Sequence, residues 1–297
     1  QPATTELLTA QAALARDQGD WAASVRLVIE AIALDPQNSG AIAGLGLRHS
    51  FLGNFPEGDR GLRRAMELQG PTGVEPFLNR SAMLVNWRGP QAALRMVEHT
   101  TPKQELRDLA RAQHLVQLGR LAEARAVVDG PGFELPAGNN TFYTGSVLKI
   151  LQSLSKVSEA RRLAESMRKT AQAEFDRGNR GSLVRMDLIR SQLALGDREP
   201  ARALLRAWRD ETEPWENRSK YKWFFQFGLR AAPLCALAGL PDEAIAILRK
   251  IQADGYQFGY RLRYDSDFDS LRSDPRFHEI MKQAEAWAAA QPEPTDL

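Results

Sequence analysis

The fold is decided by the stretch Gly19-Asp-Trp-Ala-Ala-Ser-Val-Arg-Leu-Val-Ile-Glu-Ala-Ile-Ala-Leu-Asp-Pro36. The same pattern returns 34 residues later (53 − 19 = 34) as Gly53-Asn-Phe-Pro-Glu-Gly-Asp-Arg-Gly-Leu-Arg-Arg-Ala-Met-Glu-Leu68. The two stretches align from glycine to leucine without a gap. A period of this length is typical of arrays in which one small structural unit stacks against the next.

The positions of the repeat carry the residue types that a helical hairpin needs. Glycine can end the first helix because it adopts positive φ without a Cβ penalty. A small residue after it lets two helices cross closely, and an aliphatic residue and an alanine then share one face of the second helix. The matching pairs are Gly19 and Gly53, Trp21 and Phe55, Ser24 and Gly58, Val28 and Leu62, and Ala31 and Ala65.

Looser copies extend the array to about seven hairpins over residues 4–252. Three copies, which begin at Gly119, Gly196 and Gly239, keep the glycine, the aliphatic residue and the alanine. Two copies are degenerate, one at 75–102 around Gly89 and one at 141–170 around Ser155. The series predicts an all-α solenoid, since each hairpin buries its apolar face only against its neighbours.

The repeat resembles that of the tetratricopeptide (TPR) family over residues 4–252. The resemblance implies a right-handed superhelical solenoid of about seven repeats whose first helices line a concave groove. It also implies a scaffold that binds a protein or peptide in that groove, and not an enzyme.

Residues 253–290 predict a C-terminal cap. Asp274 can cap a helix that begins at Pro275 and runs to about Ala290, and Phe268, Leu271 and Phe277 can cover the open end of the last hairpin. The segment resembles the closing segment of repeat arrays attached to bacterial signalling proteins, such as transcription regulators, adenylate cyclases and kinases. Asp265, Asp267 and Asp269 alternate as calcium ligands do, but a solvated capping loop is the better interpretation, because the glycine and the distal glutamate of a calcium loop are absent.

Three further segments interrupt the array or follow it. We expect loops at 130–140 and 209–218, because the first is rich in glycine and proline and the second is charged. The aromatic run 221–227 is predicted to pack in the core, and 291–297 is predicted to be a disordered tail.

The repeat register places eight side chains in the groove. Amides, aromatics and a few cations suit an extended peptide, whose backbone needs hydrogen-bond partners. The candidates are Phe51, Asn79, Gln113, Gln117, Phe142, Lys149, Gln152 and Arg190.

The sequence shows no pattern for catalysis, for a cofactor or for a metal. The four histidines share no metal-ligand spacing, and no phosphate-binding loop, nucleophile elbow or carboxylate pair appears. The one cysteine, Cys235, lies in an apolar run and is predicted to be buried and inert. The net charge of +2 gives no bulk attraction to nucleic acid or to a membrane surface, and no apolar stretch is long enough to insert into a bilayer.

Two alternatives to a protein-binding regulatory module remain open. One is a small-ligand receptor, with the groove narrowed by the longer late repeats and the loop around Trp215. The other is an RNA-binding repeat protein, motivated by eight basic against four acidic residues over 161–190. The chain begins at Gln1 and not at methionine, so we expect a bacterial protein that is periplasmic if a signal or anchor precedes it and cytoplasmic otherwise. Homo-oligomer formation stays open.

Overall fold

The chain folds into helices throughout the part that the structure describes. The structure is a computed structural model, and it describes residues 4–70, 73–100, 102–133, 141–218 and 227–294, with the backbone alone at 141–143 and 213–218. No strand occurs in these ranges. The bounds are α1 Thr5–Asp17, α2 Trp21–Leu34, α3 Ser39–Phe51, α4 Phe55–Gln69, α5 Val74–Arg88, α6 Pro90–His99, α7 Gln104–Gln117, α8 Leu121–Val128, α9 Thr141–Ser153, α10 Val157–Asp176, α11 Ser182–Leu195, α12 Arg198–Arg218, α13 Leu229–Leu237, α14 Pro241–Ala253, α15 Arg261–Tyr264, a 3-10 turn Ser266–Leu271 and α16 Pro275–Ala289.

Helices α1 to α14 pair in order as seven antiparallel hairpins, α1 with α2 through α13 with α14. The residue that ends the first helix has positive φ in each hairpin: Gly19, Gly53, Gly89, Gly119, Ser155, Gly196 and Gly239. Ser155 adopts this conformation at φ 55° without the freedom of glycine, so the degenerate fifth copy keeps the turn of the others. The predicted all-α repeat solenoid is therefore confirmed.

The small residues of the repeat lie where helices touch. Ser24 is fully buried, and its Oγ donates a hydrogen bond of 2.7 Å to the Ala12 carbonyl of the first helix. A Cβ on Gly46 would lie 2.9 Å from the carbonyl oxygen of Gly58 and from the backbone nitrogen of Leu62. These backbone atoms cannot move aside, so the second hairpin requires glycine at its crossing point.

The cap begins with the helix start that Asp274 and Pro275 predict. The Asp274 side chain accepts a hydrogen bond from the Arg276 N–H at 2.8 Å, and Pro275 is the first residue of α16. Phe268, Leu271 and Phe277 are buried in one cluster with α13 and α14, so they cover the open end of the last hairpin.

The loop predicted at 209–218 is wrong, because α12 continues to Arg218. The stretch contains no glycine, its arginines and glutamates favour helix, and Trp208 and Thr212 are buried and hold this part of α12 against the core. Of the aromatic run, Phe227 is buried and packs edge-on against Trp208 at 5.3 Å between ring centroids, while 221–226 lie outside the described residues.

The remaining two predicted segments are described only in part. At the predicted loop 130–140, α8 ends at Val128 and a turn follows to residue 133; residues 134–140 lie outside the described ranges. The predicted disordered tail is contradicted at its start. Arg88 donates to the carbonyls of Gln291 and Pro292 and pairs with Glu293 at 3.1 Å, which fixes this part of the tail against α5.

We expect Gly46→Ala to lower the free energy of unfolding by about 1–3 kcal/mol, as overpacking a close contact does. Gly40→Ala, on the same helix, is the matched control and should cause no loss, because its Cβ would meet only the Asn38 Oδ1 at an ordinary 3.5 Å. Urea denaturation of both variants measures the difference. Equal stabilities would show that the helices do not cross at Gly46 as described.

Candidate functional site

The odd-numbered helices α1 to α13 are the first helices of the hairpins, and we call their common surface the first-helix face. From α3 to α13 each first helix contacts the next one along this face. A C-terminal segment, residues 256–271, touches α3, α5, α9 and α11, and we call this segment the strap. A segment this short reaches helices of the second and sixth hairpins only because the stack curves with the first helices inside.

One end of the strap is fixed to α3 and α5. The Tyr256 ring lies 6.2 Å from that of Phe51, and the Tyr260 N–H donates to the Asn86 carbonyl at 2.9 Å. A Cβ on Gly259, which has φ of 54°, would lie 1.8 Å from that carbonyl oxygen. Only glycine allows this approach of strap to helix.

The other end is fixed by a cluster of buried charges. Lys149 Nζ lies 2.7 Å from Asp265 Oδ1 and 2.6 Å from Asp267 Oδ2. Arg190 donates two parallel hydrogen bonds to the Asp267 carboxylate, at 3.1 and 2.6 Å. Asp267 is 4 % exposed and Arg190 is 7 % exposed, so water screens these pairs little. Burial raises the pKa of Asp267, but Arg190 and Lys149 outweigh it and hold the pKa below its ordinary value.

The solvated capping loop expected around the alternating aspartates is therefore wrong for two of the three. Asp265 and Asp267 are buried and face the first helices, whereas Asp269 is exposed and pairs with Arg272 on its own segment at 3.4 Å. The alternation reflects one side of the strap that carries the buried charges.

A third carboxylate, Asp187, lies one turn before Arg190 on α11. It is 3 % exposed, and its Oδ1 has no hydrogen-bond partner among the residues that the structure describes. Burial raises the pKa of Asp187 from 3.8 to about 7, although the positive charge of Arg190 acts in the opposite direction. Near neutral pH this group therefore exchanges its proton while the paired aspartates stay ionised.

Helix α16 closes the curve of the stack. It contacts both α14 of the last hairpin and α5 of the third. The Trp287 ring packs edge-on against Phe55 at 5.3 Å, and Arg88 donates to the Ala288 carbonyl at 2.9 Å. The second to seventh hairpins thus form a closed ring with the strap on its inner side.

The seven hairpins, the turn that joins each pair and the curved first-helix face decide the class of fold. The chain is a TPR-like helical repeat protein.

Comparison with known proteins adds two structures and no sequence match. No family model matches the TPR-like chain, and no curated protein does. It is similar to the crystal structure of PilW, a widely conserved type IV pilus biogenesis factor, with a TM-score of 0.41 and 13 % identity over 69 % of this chain and 92 % of that one. It is also similar to a tetratricopeptide repeat protein from Parabacteroides merdae, with a TM-score of 0.40 and 13 % identity over 94 % of this chain and 98 % of that one.

The eight predicted groove residues divide into those bound within the chain and those left open. Phe51, Lys149 and Arg190 contact the strap, as described above. Gln117 is engaged with His114, whose Nδ1 lies 2.8 Å from its Oε1. The side-chain amides of Asn79, Gln113 and Gln152 have no hydrogen-bond partner within the described ranges; the first two are half-buried and the third is exposed. Phe142 lies outside the described side chains.

A serine–histidine pair lies between α5 and α7. Ser81 Oγ is 2.7 Å from His114 Nε2, and Gln117 accepts from the other ring nitrogen. Burial lowers the pKa of His114 to about 4, although Gln117 raises it, so the imidazole is neutral at pH 7. Because both side chains are at most 4 % exposed, no substrate reaches them from solvent, and the pair joins the two helices.

The other candidate chemistry is buried or absent in the part of the chain that the structure describes. Cys235 is buried, which raises the pKa of its thiol to about 12. Across the described ranges, no three histidine, cysteine or acidic side chains are grouped to bind a metal, and no helix combines the length and apolarity needed to cross a bilayer.

The basic stretch 161–190 is largely neutralised. Arg161, Arg168, Arg177, Arg185 and Arg190 pair with carboxylates, and Arg180 stacks on Phe175. Only Arg162 and Lys169 have no partner among the described residues, so the excess of cations does not form a free basic surface.

We expect Asp267→Ala to lower the free energy of unfolding by about 3–5 kcal/mol, because it leaves Lys149 and Arg190 without their shared counter-ion. Asp269→Ala removes an exposed carboxylate of the same strap and should change stability by less than about 1 kcal/mol. Chemical denaturation at neutral pH tests both. If the two variants lose the same stability, the buried cluster does not hold the strap.

We expect Asp187→Asn to raise the free energy of unfolding at pH 8 and to leave it nearly unchanged at pH 4. The folded protein holds the Asp187 proton more tightly than the unfolded chain does, so the wild type loses stability as pH rises from about 4 to about 7. The asparagine amide cannot ionise. The difference between variant and wild type should therefore grow across this window and stay constant above it. A difference that does not depend on pH would contradict the burial of an ionisable Asp187.

Proposed function

We propose that this chain is a scaffold that binds a protein or peptide partner on the part of the first-helix face that the strap leaves uncovered. The observation that carries the proposal is the set of open amides on three successive first helices: Asn79 on α5, Gln113 on α7 and Gln152 on α9. Each side-chain amide offers both a donor and an acceptor. A row of such groups suits the N–H and C=O groups of an extended peptide.

The closed ring supports this function energetically. Binding to a flexible solenoid would require the partner to fix the curvature of the stack, which costs conformational entropy. Here the strap and α16 already tie the second and third hairpins to the fifth, sixth and seventh. The open amides are therefore held in place before a partner arrives.

The buried location of the reactive groups supports a non-catalytic role. His114, Cys235 and Asp187 have shifted pKa values, but each is less than 5 % exposed. A perturbed pKa marks a catalytic group only where substrate can reach it. These three shifts are explained by packing inside the stack.

A more specific role follows from the C-terminal segment. The resemblance of the segment 264–277 to the closing segment of bacterial signalling proteins favours a sensory or interaction module of a regulatory protein. In such a module the cap sets the shape of the ring, and the uncovered first helices take the partner.

We expect the triple variant Asn79→Ala, Gln113→Ala, Gln152→Ala to lose peptide binding. Peptides would first be selected against the wild type by display from a random dodecamer library, and their affinities measured by fluorescence polarisation. Loss of three hydrogen-bonding amides should weaken binding by at least roughly tenfold, since each bond contributes about 1 kcal/mol.

The matched control is Gln91→Ala, which removes an exposed amide from the second helix of the third hairpin. It should bind as the wild type does. Thermal unfolding of both variants should be unchanged, because none of these amides is bonded within the described part of the chain. Selected peptides that bind the triple variant with wild-type affinity would place the binding surface elsewhere.

A further inference from the structure

A cleft of about 310 Å³ opens between the first helices of hairpins 1 and 2. Its walls come from the N-terminal half of α1 and from α3, and its floor includes Val28 of α2. The strap does not reach this part of the first-helix face in any contact described above. The volume lies within the range of ordinary ligand sites.

Two glycines on α3 create the space. A Cβ on Gly40 would meet only Asn38 Oδ1 at 3.5 Å, and one on Gly44 would meet only the end of the Arg48 side chain at 3.0 Å. Gly46 of the same helix is different, because its bare backbone is covered by α4. Glycine weakens a helix relative to alanine, and neither close packing nor positive φ requires it at 40 or 44. These two positions keep the wall open instead of bringing a helix close.

The cleft is apolar at its base and charged at its edge. Val28 and Ala41 are almost fully buried, and with the glycines they form a base for an aliphatic chain. Glu6 on α1 lines the cleft, is exposed and has no ion-pair partner among the described residues. Arg48, the cation of the lining, donates to Ser24 Oγ at 2.9 Å and to the Gly44 carbonyl at 2.8 Å, so α2 and α3 already hold its guanidinium.

We propose that this cleft takes a lysine side chain of the bound partner, with its methylene chain on Val28, Ala41 and the glycines and its ammonium group at Glu6. The inference rests on the proposed function, since the lysine belongs to the peptide or protein on the first-helix face. Lysine combines an apolar stem with a compact charged end, which is the chemistry of this cleft. An acidic side chain would meet the Glu6 carboxylate, and a purely aliphatic one would leave it unpaired.

The test uses a small probe and needs no partner. Nα-acetyl-lysine methylamide is titrated into isotope-labelled full-length protein, and the amide signals of Gly40 and Gly44 are followed by NMR. The norleucine analogue has the same stem without the charge, and the glutamate analogue has the opposite charge. We expect the lysine probe to shift both glycine signals at lower concentration than the norleucine probe, and the glutamate probe not to shift them.

Three variants assign the effect to the cleft. Glu6→Gln should weaken the lysine probe by about fivefold, as loss of a partly exposed ion pair does. Gly40→Leu should fill the cleft and abolish the response of Gly44, while thermal unfolding shows that the fold is kept. Glu30→Gln removes an exposed carboxylate from α2 and should change nothing.

Each opposite result overturns the inference. These results are no shift with any probe, equal shifts with lysine and norleucine, or an unchanged response in Glu6→Gln and Gly40→Leu. The peptide selection above does not depend on this cleft. Peptides that bind through the open amides while the cleft ignores lysine would retain the proposed function and reject the lysine site.

Discussion

The distance between helix axes at the small residues of the repeat is the constraint on which the rest of the structure depends. Where Gly46 meets Gly58 and Leu62, backbone touches backbone, and no side chain can be inserted without moving a helix. Ser24 uses the same closeness to bond the carbonyl of the first helix. Because each hairpin meets the next through contacts of this kind, small deviations add along the stack and give it a curve. The curve brings the sixth hairpin within reach of a strap that starts at the second.

The strap uses that curve in a costly way. Two carboxylates and two cations lose their water, and such a cluster is stable only when every charge finds a partner. Asp267 meets this condition with two hydrogen bonds from Arg190 and one from Lys149, and Asp265 shares Lys149. A cluster that tolerates no missing partner also fixes one register of the strap on the helices. The aromatic contacts of Tyr256 and Trp287 contribute burial at the other end, where the geometry is less exacting.

The residues that were predicted well are those whose partners lie near in sequence. The glycine turns, the alanines of the second helices and the cap of α16 each depend on a neighbour within one hairpin, so their spacing reveals them. Asp265 and Asp267 were misread because Lys149 and Arg190 lie 116 and 77 residues away. Alternating acids beside serine are typical of a solvated loop unless those partners are known. The helix at 209–218 was misread for a related reason, since its charged surface hid the buried turn at Trp208 and Thr212.

Closure divides the first-helix face into two parts with different energetics. Where the strap lies, an incoming partner would have to displace buried aromatics and leave Lys149 and Arg190 without counter-ions, and the strap competes at the high effective concentration of a tethered segment. Where the strap is absent, as at the open amides and the cleft beside Gly40, a partner displaces only water. A likeness to open TPR arrays would suggest a continuous groove of eight side chains. The ring leaves a shorter surface whose shape is fixed before binding, and the partner is therefore selected by the first to fifth hairpins.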